Sequence, residues 1–536
     1  MAKKLKYLDL SFCESLENTD FLSAFEKLEV LILQGCRRLK RIDASIEDTE
    51  GLLRLELGSS YALHLAVGAD AGAERPVPRF CLGELPAEIG KLKSLRQLDL
   101  SSTPSLSALP NSIGFLENLE ILAISLSGIE ELPNGIGSLR KLRELRASYC
   151  EDLKWILVES MANLSSLRRL DFRYCEKLQS LPELPSGLTD LGVTCQSRKL
   201  PSLSHLAHLK KLEVHGCDNL QCIQELPSTQ LKSSKCSQPT DIEESESPQS
   251  LNTPFKLEVL IVSFCESIKM MDVSQFVHLR TLDVWHSPKL LEVRGLDKLM
   301  YLESLTIESR NSIKRLDLPK FGCLKKLYVD GYDQFFDEYN TLAEIQGLDR
   351  SEYLESLDIH GCTSIGRLDL PKFGMLKKLV ARHCKKLAEI QGLDSLEYLE
   401  SLDISRCTSI GRLDLPKSGS MKTVNVGWCK KLAEIHGLDR LESLEILEIS
   451  WCTSIERLLL PKSESLKRLE ARDCKNLVEI QGLDRLEFLE ELNIIGCKSL
   501  KTIPELSGTQ IYRYYQITNG AYYVSCPYYT DDSDEE

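Results

Sequence analysis

Seven cysteines, at positions 362, 384, 407, 429, 452, 474 and 497, recur at intervals that alternate between 22 and 23 residues. Each closes the same phrase, as in LESLDIHGC (354–362), LKKLVARHC (376–384), LESLDISRC (399–407) and LEILEISWC (444–452). A period this short leaves too few apolar residues in any one repeat to enclose a core. The repeats must therefore stack, each covering the hydrophobic face of the next. The register continues upstream through Cys265, Ser287, Arg310 and Tyr332. The gap from Tyr332 to Cys362 is one repeat plus a seven-residue insertion near Gln334–Asn340. Eleven repeats thus run from Phe255 to about Leu506.

The first half is less regular. Cys13, Cys36, Thr103, Ser127, Cys150, Cys175 and Cys217 hold the same position, with weaker copies ending at Ser60 and Gln196. About nine repeats there bring the total to roughly twenty. The expected organisation is N-terminal repeats over 1–60, an irregular insertion over 61–84 and further repeats over 85–227. An acidic Ser/Pro linker follows over 228–254, then the regular array over 255–506. A C-terminal extension, 507–536, ends in the acidic tail DDSDEE.

The phrase L-x-x-L-x-L-x-x-C is the leucine-rich-repeat signature, and its length falls in the expected range. Leucines alternating with polar residues make a short strand. Strands joined by crossovers of about twenty residues must be parallel. The predicted fold is of the α/β class: a leucine-rich-repeat solenoid (horseshoe) with a parallel concave sheet and a mostly irregular convex side. Twenty strands at roughly 4.8 Å give an arc of about 95 Å. Leu387, Ile390, Leu393 and Leu396 continue the core around the back of one coil. Thirteen of the nineteen cysteines sit at the repeated position, where a small side chain with a weak donor fits beside the backbone of the turn. Their Cβ vectors run parallel, so they are expected as reduced thiols. No C-x-x-C pair offers a zinc site.

Composition narrows the function. With 42% apolar and 27% charged residues the chain has enough apolar surface to fold. It has no run of eighteen apolar residues. A net charge of −14 disfavours nucleic acid and anionic lipid. The N-terminus MAKKLKYLDLSFCESL lacks the apolar stretch of a secretory signal. The expected location is the cytoplasm, with the nucleus as an alternative. No H-E-x-x-H, G-x-x-x-x-G-K-[ST] or G-x-S-x-G motif occurs. The reading is a protein that is not an enzyme, with no catalytic residue, cofactor, metal, nucleic-acid or membrane partner; its oligomeric state stays open.

An internal comparison points to one face. Residues 362–406 and 407–451 match at 30 of 45 positions, yet strands 376–383 and 421–428 share only Lys377 and Lys422. Diversification for binding and tolerance of an exposed surface both explain this. Outward positions of the second array include Trp285, His286, Tyr328, His360, Arg382, His383, Arg406, Trp428, Trp451 and Arg472. Aromatic residues and arginine are the usual anchors of protein interfaces. Trp428 and Trp451 occupy one column in adjacent repeats and are expected to stack. At the second position of the phrase, Glu303, Glu355, Glu400 and Glu445 alternate with Lys325, Lys377, Lys422 and Lys467, which sets each Glu beside a Lys.

LPELPSGLTDLGV (181–193), the LP-x-x-IG-x-L-x-x-L units (Leu85–Leu95, Leu109–Leu119, Leu132–Leu142) and the Cys-bearing phrases resemble the leucine-rich region of plant intracellular disease-resistance receptors. The EIQGLD, LESLDI and C-x-S-I units are similar to the flax rust resistance type within the Toll/interleukin-receptor nucleotide-binding class. The resemblance covers nearly the whole chain. It implies a recognition module of innate immunity that binds a pathogen effector or a partner immune receptor. No nucleotide-binding or signalling domain precedes Leu5, so the expectation is a fragment, a truncated product or a partner-dependent adaptor that does not signal alone. A general intracellular scaffold unrelated to defence is the alternative.

Overall fold

The computed structural model describes residues 4–58, 81–156, 161–223, 256–331, 341–504 and 510–512, apart from 180, 182, 195, 197, 199, 201, 202, 204, 309–311, 321 and 418. Ser60, most of the 61–84 insertion, the 228–254 linker, Arg310, Tyr332, the 334–340 insertion and nearly all of the 507–536 extension lie outside the described residues. The chain divides into two compact units, Met1–Thr363 and Ser364–Glu536.

In the second unit the leucine phrases form the front strands Lys378–Val380, Ser401–Asp403, Thr423–Asn425, Ile446–Glu448, Arg468–Glu470 and Glu491–Asn493. They pair in parallel and in sequence order. The register aligns Leu379, Leu402, Val424, Leu447, Leu469 and Leu492 in one buried row. The first unit repeats the pattern, for example in Val259–Ser263, Thr281–Trp285, Ser304–Glu308 and Lys326–Asp330. Each unit is therefore a parallel solenoid. Its core is a stack of leucine rows that no single coil encloses.

The back of the second unit is organised differently. Arg367–Asp369 pairs with Glu389–Gln391, Arg412–Asp414 with Glu434–His436, and Arg457–Leu459 with Glu479–Gln481. Front strands pair each coil with the next, whereas back strands pair in twos. The alternation of 22 and 23 residues is thus a 45-residue module with two kinds of coil. The first kind follows its back strand with Leu-Pro (Pro371, Pro416, Pro461), and proline brings no N–H to a ladder. The second turns at Gly392, Gly437 and Gly482, whose φ values are +81°, +86° and +93°. A Cβ on Gly392 would lie 2.6 Å from the Leu370 carbonyl, and one on Gly437 2.8 Å from that of Leu415. Glycine is required there both for the backbone angle and for the close approach.

Most helical turns among the described residues are 3-10, three to five residues long. In the first unit Ala87–Lys91, Asn111–Phe115 and Asn134–Ser138 each follow a proline and bury an isoleucine, as the LP-x-x-IG spacing requires. The alternating charges meet as expected. Lys325 reaches Glu303 at 2.9 Å, Lys422 reaches Glu400 at 3.5 Å and Lys467 reaches Glu445 at 3.8 Å. These are exposed pairs, worth tenths of a kcal/mol each. No helix among the described residues is long and apolar enough to cross a membrane.

Candidate protein-binding face

Each front strand is only three residues long in most of the second unit, because polar side chains end it early. Asp403, Asn425 and Glu448 accept the amides of Ser405, Gly427 and Ser450, two residues on, at 3.0, 3.0 and 2.8 Å. Side chains of this kind offer the backbone an alternative to the ladder. The chain then makes a four-residue turn. The N–H groups of Cys407, Cys429 and Cys452 donate to the carbonyls of Ile404, Val426 and Ile449, all at 3.2 Å.

The cysteine thiols bind the coils together. Those of Cys429, Cys452 and Cys474 donate to the same carbonyls of the preceding coil, Ile404, Val426 and Ile449, at 3.1, 3.1 and 3.0 Å. Burial raises the thiols of Cys407 and Cys452 well above their ordinary range, so they stay protonated donors. Cys407, Cys429, Cys452 and Cys474 are reduced thiols. No group of three metal-ligating side chains occurs among the described residues.

The residue just before each cysteine takes the third place of the turn, where φ is positive. In the second unit that column is His383, Arg406, Trp428, Trp451 and Asp473, with φ from +54° to +64°, and Gly496 at +77°. A left-handed backbone costs a bulky residue roughly 1–2 kcal/mol. It is held because each amide donates to the next coil: Arg406 to Gly427, Trp428 to Ser450 and Trp451 to Arg472, all at 2.7 Å. The left-handed turn projects the side chains as a ladder. The Trp428 and Trp451 rings stack at 4.6 Å with 15° between their planes. The Arg406 guanidinium lies 5.2 Å over the Trp428 ring.

The ten candidate residues fall into three groups. Trp285 and Tyr328 lie in strands. His360, Arg382 and Arg472 come two residues before the repeated position, past the strand end. His286, His383, Arg406, Trp428 and Trp451 stand at the left-handed turn. Arg382 Nε donates to Asp403 at 2.7 Å. The Arg472 amide donates to Ser450 Oγ at 3.0 Å. Tyr328 donates its hydroxyl to Asp330 at 3.1 Å, and the His360 amide donates to Asp358 at 3.2 Å. Burial, with Glu470 nearby, raises the Glu448 carboxyl to about 7, against the donors of Ser450.

Sequence reasoning named His286 but passed over Tyr149, Tyr174 and Phe264 of the first unit. Tyr149 and Tyr174 stack at 4.2 Å, and Phe264 stacks on His286 at 4.6 Å; all four have positive φ. Beside them Arg173 forks onto Asp171 at 2.8 Å and reaches Glu213 at 2.8 Å. His215 is 7% exposed. Burial and then Arg173 hold it neutral, its pKa lowered to about 4. The signal that would have found these aromatics is the residue preceding each Cys or Ser of the repeat.

Comparison with known proteins agrees with this architecture. The chain is 29% identical over 225 residues to the TMV resistance protein N of Nicotiana glutinosa, covering 36% of this chain and 20% of that protein. It is 26% identical over 214 residues to the disease resistance protein RPS4B of Arabidopsis thaliana, covering 36% and 18%. It is 43% identical over 82 residues to the Arabidopsis thaliana disease resistance protein RFL1, covering 15% and 9%. The chain thus spans about a fifth or less of these relatives' length. Among solved structures, YopM from Yersinia enterocolitica WA-314 superposes with a TM-score of 0.50 at 20% identity, covering 92% of both chains, a likeness of fold alone. The family model for the leucine-rich repeat region matches residues 10–331. The chain belongs to the leucine-rich repeat family, with its curated relatives among plant disease-resistance proteins.

Proposed function

We propose that this chain is a protein-binding recognition module of plant innate immunity, working in the cytoplasm or nucleus, whose partner is a pathogen effector or another immune receptor. The relatives are disease-resistance proteins by name, which supports the defence setting. The observation that carries the binding role is the Arg406–Trp428–Trp451 ladder. Core packing does not need tryptophan at the rim of a turn, where the side chains stay half-buried. Stacked, rigid aromatics with an arginine beside them are what a partner's side chains pack against. A role in binding also fits a site with no nucleophile–base pair among its named residues.

The test is co-purification of the full chain and of the variant Trp428→Ala/Trp451→Ala from infected and uninfected plant tissue. The expected result is an immune receptor or pathogen protein retained by the parent chain and lost at least about tenfold in the variant. The variant's circular-dichroism spectrum should be unchanged. The same housekeeping proteins on both chains from both tissues would overturn the defence reading. Loss of fold in the variant would make the two rings part of the core.

A further inference from the structure

We infer that the turn edge of the second unit binds an acidic segment of its protein partner, with the tryptophan ladder taking that segment's aromatic or apolar side chains. The inference rests on the recognition reading and names the chemistry of the partner.

The observation is the pair of residues after each cysteine. In the second unit these are Lys385-Lys386, Thr408-Ser409, Lys430-Lys431, Thr453-Ser454, Lys475-Asn476 and Lys498-Ser499. Six lysines and no acid occupy this edge, on a chain whose net charge is −14. All six lysines are exposed. Lys386, Lys430, Lys431, Lys475 and Lys498 make no ion pair among the described residues, whereas Lys422 and Lys467, just before the front strands, are matched to Glu400 and Glu445.

The edge is also ordered. The Lys430 amide donates to the Trp428 carbonyl at 2.9 Å, which fixes the lysine pair against the ladder. Thr453 and Ser454 of the next coil both donate to the Lys430 carbonyl, at 3.3 and 2.7 Å. Thr408 donates to that of Lys385 at 3.4 Å. Lysine pairs alternate with hydroxyl pairs over the first four of these coils, the two lysine pairs lying two coils, roughly 10 Å, apart at the usual strand spacing, and each of the last two coils adds a single lysine. Trp428 and Trp451 stand immediately beside them. Unmatched like charges set close together repel until a partner neutralises them. A carboxylate-bearing segment does so, and stacking on the ladder adds the desolvated anchor that charge alone lacks.

The experiment uses the full chain and a fluorescent peptide of alternating Glu and Tyr, followed by anisotropy at low ionic strength. Its controls are a Gln/Tyr peptide and a single-stranded DNA of equal charge. The expected result is binding of the Glu/Tyr peptide only. Lys430→Glu/Lys431→Glu should weaken it by about tenfold or more, and Trp428→Ala/Trp451→Ala by a similar factor. Reversal of the acidic pair Glu151/Asp152 in the first unit to Lys should not. Equal binding of the Gln/Tyr peptide, or an unchanged affinity in the lysine variant, would overturn the inference. So would DNA bound as tightly as the peptide, since the edge would then be a general polyanion site. A co-purified immune partner that survives Lys430→Glu/Lys431→Glu but not the tryptophan variant would sink this inference and leave the recognition reading standing.

Discussion

The two units share one backbone plan and differ in charge on the same edge, which mixes acids and bases in the first and is basic in the second. In the first unit the residues after the repeated position include Glu14, Glu151, Asp152, Glu176, Asp218 and Glu266. The basic ones there are largely neutralised: Arg37 reaches Glu14 at 3.6 Å and Lys177 reaches Asp152 at 2.7 Å. Burial, then Glu266 and Glu176, raise the Asp218 carboxyl above its usual value. In the second unit the same positions are lysine, threonine, serine or asparagine. The leucine rows and the amide-to-carbonyl bonds of the turns are alike in both. The difference therefore lives where packing imposes nothing. A solenoid of this kind fixes its inside by stacking and leaves the turn edge to be written independently in each stretch of coils.

The largest expected effect would test whether the two-coil module of the second unit is real. Gly392→Val puts a branched side chain at φ +81°, against the Leu370 carbonyl. Strain and clash together should cost about 3 kcal/mol or more. Urea unfolding followed by hydrogen exchange should show the second unit opening first while the first unit keeps its protection. Uniform loss across both units would mean that the back ladder does not set the stability of its own unit.

A smaller effect probes the cysteine column, where the units also differ. In the second unit every described repeat has cysteine, and the thiols of Cys407, Cys429, Cys452, Cys474 and Cys497 donate to the coil before. In the first unit Thr103 stands there and donates to Leu100 of its own coil at 2.6 Å, and Ser127 lies 3.5 Å from Cys150 Sγ. Cys429→Ala removes a buried donor and leaves a small cavity, at about 1–2 kcal/mol. Cys429→Ser keeps a donor aimed at Ile404 and should cost less. Chemical denaturation of the three proteins decides it. A serine variant less stable than the alanine one would show that the position selects an apolar filler, with the thiol bond of little weight.

Much of this was open to reading from the chain. The cysteine spacing placed the strands, their parallel register and the buried leucine rows, because stacking leaves no other home for those residues. It also held the two-coil module in the 22/23 alternation, although only the glycine and proline positions say which coils pair. The strand ends were misjudged for a physical reason. An alternating pattern marks which side chains face in, but it does not reveal that Asp403 or Glu448 will capture an amide and stop the ladder. The left-handed column was concealed for a related reason. Glycine is the usual mark of positive φ, and Gly35, Gly216, Gly361 and Gly496 supply it in four coils; Trp428, Trp451 and Arg406 hide it in others. The lysine edge was legible one residue at a time but had no meaning until the turns placed it beside the tryptophans.

The smallest expected effect contrasts the units by their response to pH. His215 in the first unit titrates at about 4, down from 6.5, because burial and Arg173 oppose its charge. Between those values the unfolded chain takes up a proton that the folded chain refuses. That contribution is therefore complete above pH 6.5 and is lost as pH falls to about 4. Glu448 in the second unit has the opposite sign. Its carboxyl is raised from 4.5 to about 7, so its contribution is complete below pH 4.5 and is lost as pH rises to about 7. Glu448→Gln keeps an oxygen for the Ser450 amide and removes the charge. It should stabilise the protein by about 1–2 kcal/mol at neutral pH and by nothing near pH 4.5. His215→Gln should flatten the loss on the acid side by a similar amount. Denaturation midpoints of the parent and both variants across this range measure the two terms separately. If Glu448→Gln gains as much at pH 4.5 as at pH 7, the gain is packing rather than charge, and the buried Glu448 carboxylate is not held under electrostatic strain.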